Sequence, residues 1–188
     1  MASFTRKAIM STFLELVEER PFNKISIKNI VERCGINRNT CYYHFEDIPS
    51  LVEAIFKEET DLLLAQQEEF HSFEECLDAA MHFVLKNRRA NLNLYTSANR
   101  ELCERYLQII CHYAVTNYLH TAFQNRPISS DDLEAITLAY EGETFGLLIY
   151  WLNAGLNEDF RPKLLRLCQL HEGFAEEMFA RAQSSLPS

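Results

Sequence analysis

Glycine and proline are scarce throughout this sequence, and their scarcity constrains its fold more than any other feature. The 188 residues contain only 5 Gly and 5 Pro. Sheet-rich folds need many tight turns, and tight turns draw on these two residues. With 47% hydrophobic residues, the chain can bury a core without disulfides or a structural metal. The composition therefore predicts an all-α protein.

The sequence indicates a cytoplasmic protein without a cofactor or a metal. Residues 1–20 carry charges throughout, unlike a signal peptide, and no apolar run approaches the ~20 residues that span a bilayer. The six cysteines form no CxxC pair and fit no usual zinc spacing, so we expect buried thiols. Redox sensing at Cys103 and Cys111 is the alternative. No nucleophile elbow, phosphate loop or zinc motif occurs, so an enzyme is not expected.

Charge is divided unevenly along the chain. Residues 1–50 hold 7 Lys/Arg and 6 Asp/Glu, a net charge of +1, whereas the remaining residues hold 11 and 21, a net charge of −10. The acidic surplus therefore belongs to the second part of the chain. The overall charge of −9 does not exclude contact between the first part and a nucleic acid.

Apolar spacing and capping residues predict the positions of the helices. Residues 5–19 form an amphipathic helix with Thr5 as its N-cap, and Pro21 ends it. Asp47 is the N-cap of a long helix that continues towards Glu69. Later helices are predicted after Ser72, over residues 98–123, over residues 131–153 and over residues 161–183, with a short connection or broken helix at 87–97.

The stretch from Ser26 to Phe45 is the most informative part of the sequence. Ser26 opens a short helix that Gly35 ends, and Asn37 caps a second short helix. Two short helices that meet at a tight turn are typical of a helix-turn-helix. The outer face of the second helix is too polar for a core, and its side chains can reach base edges and phosphates in a major groove. These side chains are Arg38, Asn39, Thr40, Tyr43 and His44.

This stretch resembles the N-terminal domain of the tetracycline-repressor (TetR) family. The matching features are the Ser26 cap, Ile30, Cys34-Gly35-Ile36, Thr40, Tyr42-Tyr43-His44-Phe45 and Leu51. The run from Tyr42 to Ile48 is similar to the subgroup that includes regulators of dihydroxyacetone kinase genes. The resemblance implies a three-helix DNA-binding domain over residues 1–50, followed by a helical-bundle effector and dimerisation domain over residues 51–188.

The resemblance also implies roles for individual residues. Ser26 would touch a phosphate, Lys28 would lie near the groove edge, and Asn37 would cap the recognition helix. Bases or flanking phosphates would be contacted by Arg38, Asn39 and Thr40, and the DNA backbone by Tyr42, Tyr43 or His44. Tyr42 is equally compatible with a core position, and Phe45 is expected in the core.

One position departs from the family pattern. Many members have Lys where this chain has Ile48, so a phosphate contact is lost here. Asp47 adds a negative charge close to the expected DNA. We therefore expect modest affinity that depends strongly on salt.

A homodimer surface and a ligand pocket are both expected in the second domain. Apolar residues of the last two helices predict the dimer surface: Phe145, Leu148, Ile149, Leu152, Leu164, Leu167 and Phe174. Gly142 and Gly146 would allow close approach of two helices. Polar or aromatic residues within apolar helices are the pocket candidates, although each also fits an ordinary core position: His82, Tyr95, Cys103, Tyr113, Tyr140 and Trp151.

Two functional interpretations follow from these features. The first is a transcriptional regulator that reads a palindromic double-stranded DNA operator as a homodimer, as a repressor or an activator, with repression as the first expectation. A small-molecule effector or a protein co-regulator in the C-terminal domain would modulate its DNA affinity. The second is a dimeric protein-interaction module or co-regulator with a degenerate DNA-binding head. Salt-sensitive DNA affinity distinguishes the first from the second.

Overall fold

Helices account for the regular secondary structure over residues 2–66, 68–124 and 126–184, the part of the chain that the computed structural model describes. These residues contain no strand, which confirms the predicted all-α fold. The helices are α1 (Ala2–Glu19), α2 (Ile27–Cys34), α3 (Arg38–His44), α4 (Ile48–Leu64), α5 (Phe73–Lys86), α6 (Arg88–Tyr95), α7 (Arg100–Ala122), α8 (Ser130–Asn153), α9 (Arg161–Leu170) and α10 (Phe174–Ser184). Within the described ranges, no helix is long and apolar enough to cross a membrane.

The helices pack into two compact units. The first unit comprises Met1–Ala65 and Asn87–Tyr106, and the second comprises Gln66–Lys86 and Leu107–Ser188. Helix α7 contributes residues to both units. Because this division follows packing rather than one cut in the chain, the functional division at residue 50 stays a prediction.

The first unit is organised around α1. Ile9, Phe13 and Val17 are fully buried, and their four-residue spacing forms one apolar stripe, as predicted. The Asn93 side-chain amide donates to the Val17 carbonyl oxygen at 2.7 Å, which fixes α6 against α1. The same core includes Ile30, Cys41, Phe45, Leu51, Val52, Phe56 and Leu94. This packing supports the two short helices α2 and α3.

Helix α8 contributes several of the buried side chains of the second unit. Its largest fully buried side chains are Tyr140 and Leu148, which share the core with Leu77, Ile110 and Leu119. Ser129 caps α8 by accepting a hydrogen bond from the Asp132 backbone N–H at 3.1 Å, so the helix predicted from residue 131 begins at Ser130.

Two predicted helix boundaries are wrong, and one open alternative is resolved. Helix α1 begins at Ala2, so Thr5 lies inside the helix and is not its N-cap. Of the two alternatives for residues 87–97, the broken helix is the one observed: residues 88–95 form the short helix α6, because Ala90 and Leu94 are buried in the core of the first unit. The helix predicted over residues 161–183 is divided into α9 and α10, since Gly173 adopts a φ of 80°, which interrupts a right-handed helix.

The six cysteines are free thiols. Burial raises the pKa of Cys103 and Cys111 to about 12 and that of Cys168 to about 11. Because the thiolate is the reactive form, these groups are poorly suited to oxidation at neutral pH. Their environment favours the expected structural role over redox sensing.

Gly35 ends α2 in the left-handed conformation, with a φ of 71°, as predicted. A Cβ atom at this position would meet no atom within 4 Å, so substitution by Ala adds backbone strain alone. We expect Gly35→Ala to lower the free energy of unfolding by about 1 kcal/mol. Gly35→Asn should cost less, because Asn tolerates the left-handed region. Urea unfolding measures both variants, and an Ala variant as stable as the wild type would contradict the prediction.

Candidate nucleic-acid interface

Ser26 begins α2 through a reciprocal capping box with Asn29. Ser26 Oγ accepts a hydrogen bond from the Asn29 backbone N–H at 3.3 Å, and Asn29 Oδ1 accepts one from the Ser26 backbone N–H at 3.0 Å. The Ser26 hydroxyl also donates its proton to Asn29 Oδ1 at 2.8 Å. Since this donor is already used, a phosphate contact by the Ser26 hydroxyl requires an exchange of hydrogen bonds.

Asn37 caps α3, as predicted. Asn37 Oδ1 accepts hydrogen bonds from the Thr40 backbone N–H at 2.8 Å and from Thr40 Oγ1 at 3.0 Å. Two bonds to one oxygen fix the first turn of α3. The helix therefore holds its outer side chains in a defined position.

Helix α3 has one buried face and one exposed face. Cys41 and the following Phe45 are buried in the core of the first unit. Tyr43 is 80% exposed and Tyr42 is also exposed, so Tyr42 is not a core residue. The half-buried His44 ring is perpendicular to the Tyr43 ring, with centroids 5.1 Å apart. The exposed rings and hydroxyls are available to a partner.

Three basic side chains on α2 and α3 have different surroundings. Arg38 is exposed and makes no hydrogen bond or ion pair with any described residue, so its charge is available. Within the described part of the chain, Lys28 pairs only with Glu32, and this exposed pair is long, at 3.7 Å. Arg33 donates to both Glu19 carboxylate oxygens at 2.5 and 2.7 Å, and this holds the pKa of Glu19 below its usual value. Arg33 thus ties α2 to α1 rather than facing a ligand.

Asp47 and Ile48, which depart from the family pattern, both stabilise the start of α4. The Asp47 carboxylate accepts a hydrogen bond from the Ser50 backbone N–H at 2.8 Å and caps α4, as predicted. Ile48 packs against the core of the first unit. These residues stabilise the junction of α3 and α4.

The site is therefore a capped pair of short helices with a polar, partly cationic outer face. The profile described as "Bacterial regulatory proteins, tetR family" matches residues 9–55, and "Transcriptional regulator C-terminal region" matches residues 71–172, more than half of the chain. The chain belongs to the TetR family of bacterial regulatory proteins. As a TetR-family protein, it is a transcriptional regulator with a DNA-binding helix-turn-helix.

The similar curated proteins are regulators of the HTH type, and one solved structure shares the fold. The HTH-type transcriptional regulators UidR of Escherichia coli (strain K12) and of Shigella flexneri are 32% identical over 80 residues. The match spans 43% of this chain and only 37% of each UidR chain. The structure named "Dihydroxyacetone kinase operon activator DhaS" superimposes with a TM-score of 0.56 at 17% identity, covering 88% of this chain and 97% of DhaS. The likeness to DhaS shows a shared fold.

The six predicted pocket residues are divided between the two units. Tyr95 and Cys103 belong to the first unit, where Tyr95 is buried under the Arg100 guanidinium, 4.6 Å from its ring centroid. His82 is exposed on α5, with Nδ1 3.2 Å from an Asp78 carboxylate oxygen, so its prediction as a pocket residue is corrected.

The other three candidates belong to the second unit. The Tyr113 hydroxyl accepts a hydrogen bond from the Glu68 backbone N–H at 3.2 Å. The buried Trp151 indole donates to the Asn157 carbonyl at 2.9 Å and closes the turn after α8. Tyr140 differs from these two, because its buried hydroxyl has no hydrogen-bond partner among the described residues.

Two polar residues near Tyr140 were missed by the sequence reasoning. Thr144 lies one helical turn after Tyr140, and its buried Oγ1 lacks a partner within the described ranges, as does the buried Nδ1 of His171. A polar pair four residues apart in an apolar helix was the available signal for Thr144. Nothing in the sequence placed His171 beside Tyr140. Across the described ranges, no three His, Cys, Asp or Glu side chains converge as a metal site requires.

The predicted dimer residues are also divided by burial. Leu148, Leu152 and Leu164 are buried inside the second unit, and this corrects their prediction as interface residues. Phe145, Ile149, Leu167 and Phe174 keep partial or full exposure. An outward row on α8, which we call the α8 ridge, consists of Leu138, Gly142, Gly146 and Tyr150.

Proposed function

We propose that this TetR-family protein is a homodimer that reads a palindromic operator, with repression as the first expectation. A small molecule or a protein partner bound in the second unit modulates its DNA affinity. The available outer face of α3 is the observation that carries the proposal: Arg38 is unpaired among the described residues and Tyr43 is 80% exposed. A helix with this face fits the major groove as a recognition helix.

Fluorescence anisotropy on the protein's own upstream DNA, across a salt series, tests the proposal. Lys28 and Arg38 of two protomers together would neutralise about four phosphates, so the logarithm of affinity should fall with a slope of about 3–4 against the logarithm of salt concentration. A scrambled duplex of equal length is the control for sequence preference. A folded dimer without salt-sensitive affinity for upstream or randomised DNA would instead favour the protein-interaction module.

The α8 ridge supports the dimer part of the proposal. Its four residues recur every four positions, so they share one face of α8. A Cβ atom at Gly142 or Gly146 would meet no atom within 4 Å, so a second helix could approach closely at both positions. Leu138 and Tyr150 add apolar area at the two ends of the ridge. A two-fold axis through such a face pairs it with itself.

Leu138→Glu tests the α8 ridge as the dimer surface. Leu138 is 69% exposed, so the substitution should leave the protomer folded. In a symmetric dimer it would bury two unpaired carboxylates, and the dimer should weaken by at least about 3 kcal/mol, roughly 100-fold. Sedimentation velocity at micromolar concentration measures the loss. The matched control is Leu62→Glu on α4, where Leu62 is 57% exposed. A Leu138→Glu protein that stays dimeric would exclude the ridge as the interface.

A further inference from the structure

Four buried polar atoms inside the second unit lack hydrogen-bond partners among the described residues. They are Asn117 Nδ2, Tyr140 OH, Thr144 Oγ1 and His171 Nδ1. Tyr140 is 2% exposed and Thr144 is 0% exposed. Buried polar groups are nearly always paired in native proteins, so a group of exceptions needs an explanation. A bound guest that completes the missing hydrogen bonds is such an explanation.

Tyr140 and His171 belong to one cluster of aromatic rings, and Thr144 follows Tyr140 on the same helix. Tyr140 and Thr144 lie one turn apart on the buried face of α8. The His171 ring, just after α9, is perpendicular to the Tyr140 ring, with centroids 6.0 Å apart. Phe73 of α5 packs against both rings, with its ring centroid 5.1 Å from that of Tyr140 and 5.3 Å from that of His171. Three separate segments therefore contribute to the cluster.

Tyr118 of α7 borders the cluster and adds a second phenol. Its ring centroid lies 5.7 Å from that of Tyr140. Burial raises the pKa of Tyr118 to about 12, and burial followed by the nearby Tyr118 hydroxyl raises the pKa of Tyr140. No described residue, Tyr118 included, meets the distance and angle criteria of a hydrogen bond with the Tyr140 hydroxyl. Both phenols are neutral at physiological pH and can donate or accept hydrogen bonds.

The position of the proton on the His171 ring determines which hydrogen-bonding group of a guest can pair with this side chain. Glu143 Oε1 lies 3.3 Å from His171 Nε2, and a carboxylate at this position favours the proton on Nε2. When the ring is neutral, Nδ1 is then an acceptor, and a hydrogen-bond donor on the guest can pair with it. The Glu143 carboxylate also disfavours an anionic guest. Both side chains are partly exposed, which gives the cluster a polar edge towards solvent.

The hydroxyl groups of Tyr140 and Thr144, together with His171, favour a guest that carries two adjacent hydroxyl groups. One hydroxyl can donate to His171 Nδ1, while a neighbouring hydroxyl can pair with the Tyr140 and Thr144 hydroxyls, which accept or donate. The rings of Phe73 and Tyr118 offer apolar surfaces to the carbon skeleton that carries these groups. A neutral vicinal diol combines these properties.

We infer that the cluster of Tyr140, Thr144 and His171 binds a small neutral molecule with two adjacent hydroxyl groups. The inference rests on the proposed function in one respect, because it identifies the chemical class of the small molecule that modulates DNA affinity there. Binding itself needs no DNA and is measured without it.

Isothermal titration calorimetry on the full-length protein tests this inference with three probes. Catechol is an aromatic vicinal diol, cis-1,2-cyclohexanediol is its aliphatic counterpart, and benzoate is an anion of similar size. We expect saturable binding of at least one diol and a preference for it over benzoate. Binding of catechol alone identifies an aromatic guest, and binding of cyclohexanediol alone identifies an aliphatic one.

Tyr140→Phe and Thr144→Val locate the binding site. Each removes an unpaired hydroxyl with little change of shape, so each variant should fold at least as stably as the wild type without ligand. Each should weaken diol binding at least 10-fold. Thr60→Val is the matched control, because the Thr60 hydroxyl is equally buried and unpaired but lies in the first unit. Its diol affinity should equal that of the wild type.

Other results would overturn the inference. They are the absence of diol binding by the folded wild type, a preference for benzoate, or diol affinities unchanged in both cluster variants. Anisotropy on the operator separates this failure from failure of the proposed function. Diol binding that requires Tyr140 and Thr144 but leaves operator affinity unchanged supports the site and rejects the modulation. Operator binding by a protein that takes up no diol rejects the site alone.

Discussion

The double substitution of Arg38→Ala and Tyr43→Ala should lower operator affinity at least 100-fold. Both side chains lie on the exposed face of α3, and neither contributes to the core. A side chain that contacts a base edge or a phosphate contributes about 1–3 kcal/mol. Two such losses in each head of a dimer exceed the roughly 2.7 kcal/mol that a 100-fold change requires. Anisotropy at fixed salt measures the loss.

A matched control separates DNA contact from net charge and folding. Lys163→Ala removes one positive charge from an exposed position on α9, in the second unit, and should leave affinity within a factor of about two. Urea unfolding of the double variant should match that of the wild type. If the double variant keeps its operator affinity, α3 is not the recognition helix.

Phe13→Ala should lower the free energy of unfolding by about 3–5 kcal/mol, the largest effect on stability that we expect. Phe13 is fully buried in the core of the first unit. Its ring also makes an edge-to-face contact with Phe22, with centroids 6.3 Å apart. The substitution removes these contacts and leaves a cavity, because the surrounding helices cannot close around alanine. Urea or thermal unfolding measures the loss.

Phe4→Ala is the matched control for this effect. Phe4 lies on the same helix as Phe13 but is 82% exposed, so its removal creates no cavity. We expect a change of less than about 0.5 kcal/mol. Similar losses for the two variants would show that helix propensity, and not core packing, determines the stability of α1.

The helix-turn-helix could be predicted closely because its signals are local. The caps formed by Ser26, Asn37 and Asp47 each involve a partner three residues away, and Gly35 requires only its own backbone conformation. Such features depend on a few neighbouring residues and survive any tertiary arrangement. Sequence reasoning therefore placed α2, α3 and the start of α4 correctly.

The second unit was harder to predict because its features depend on distant parts of the chain. Helix α8 is apolar on several sides, so periodicity cannot distinguish the face that Leu148 buries from the outward face that holds Leu138. The polar cluster joins Tyr140 to His171, which follows a different helix. Only the packing of α5, α8 and the end of α9 brings these side chains together.

If α3 is the recognition helix, as we propose, the hydrogen bond between Asn37 and Thr40 restricts which bases it can read. Thr40 Oγ1 gives its proton to Asn37 Oδ1, so it offers DNA only lone pairs and a methyl group. The amino groups of adenine and cytosine can donate to those lone pairs, and the thymine methyl can pack against the Thr40 methyl. Guanine presents only acceptors in the major groove and has no complement there. We therefore expect operators to exclude guanine at the base edge beneath Thr40, even where neighbouring positions tolerate any base.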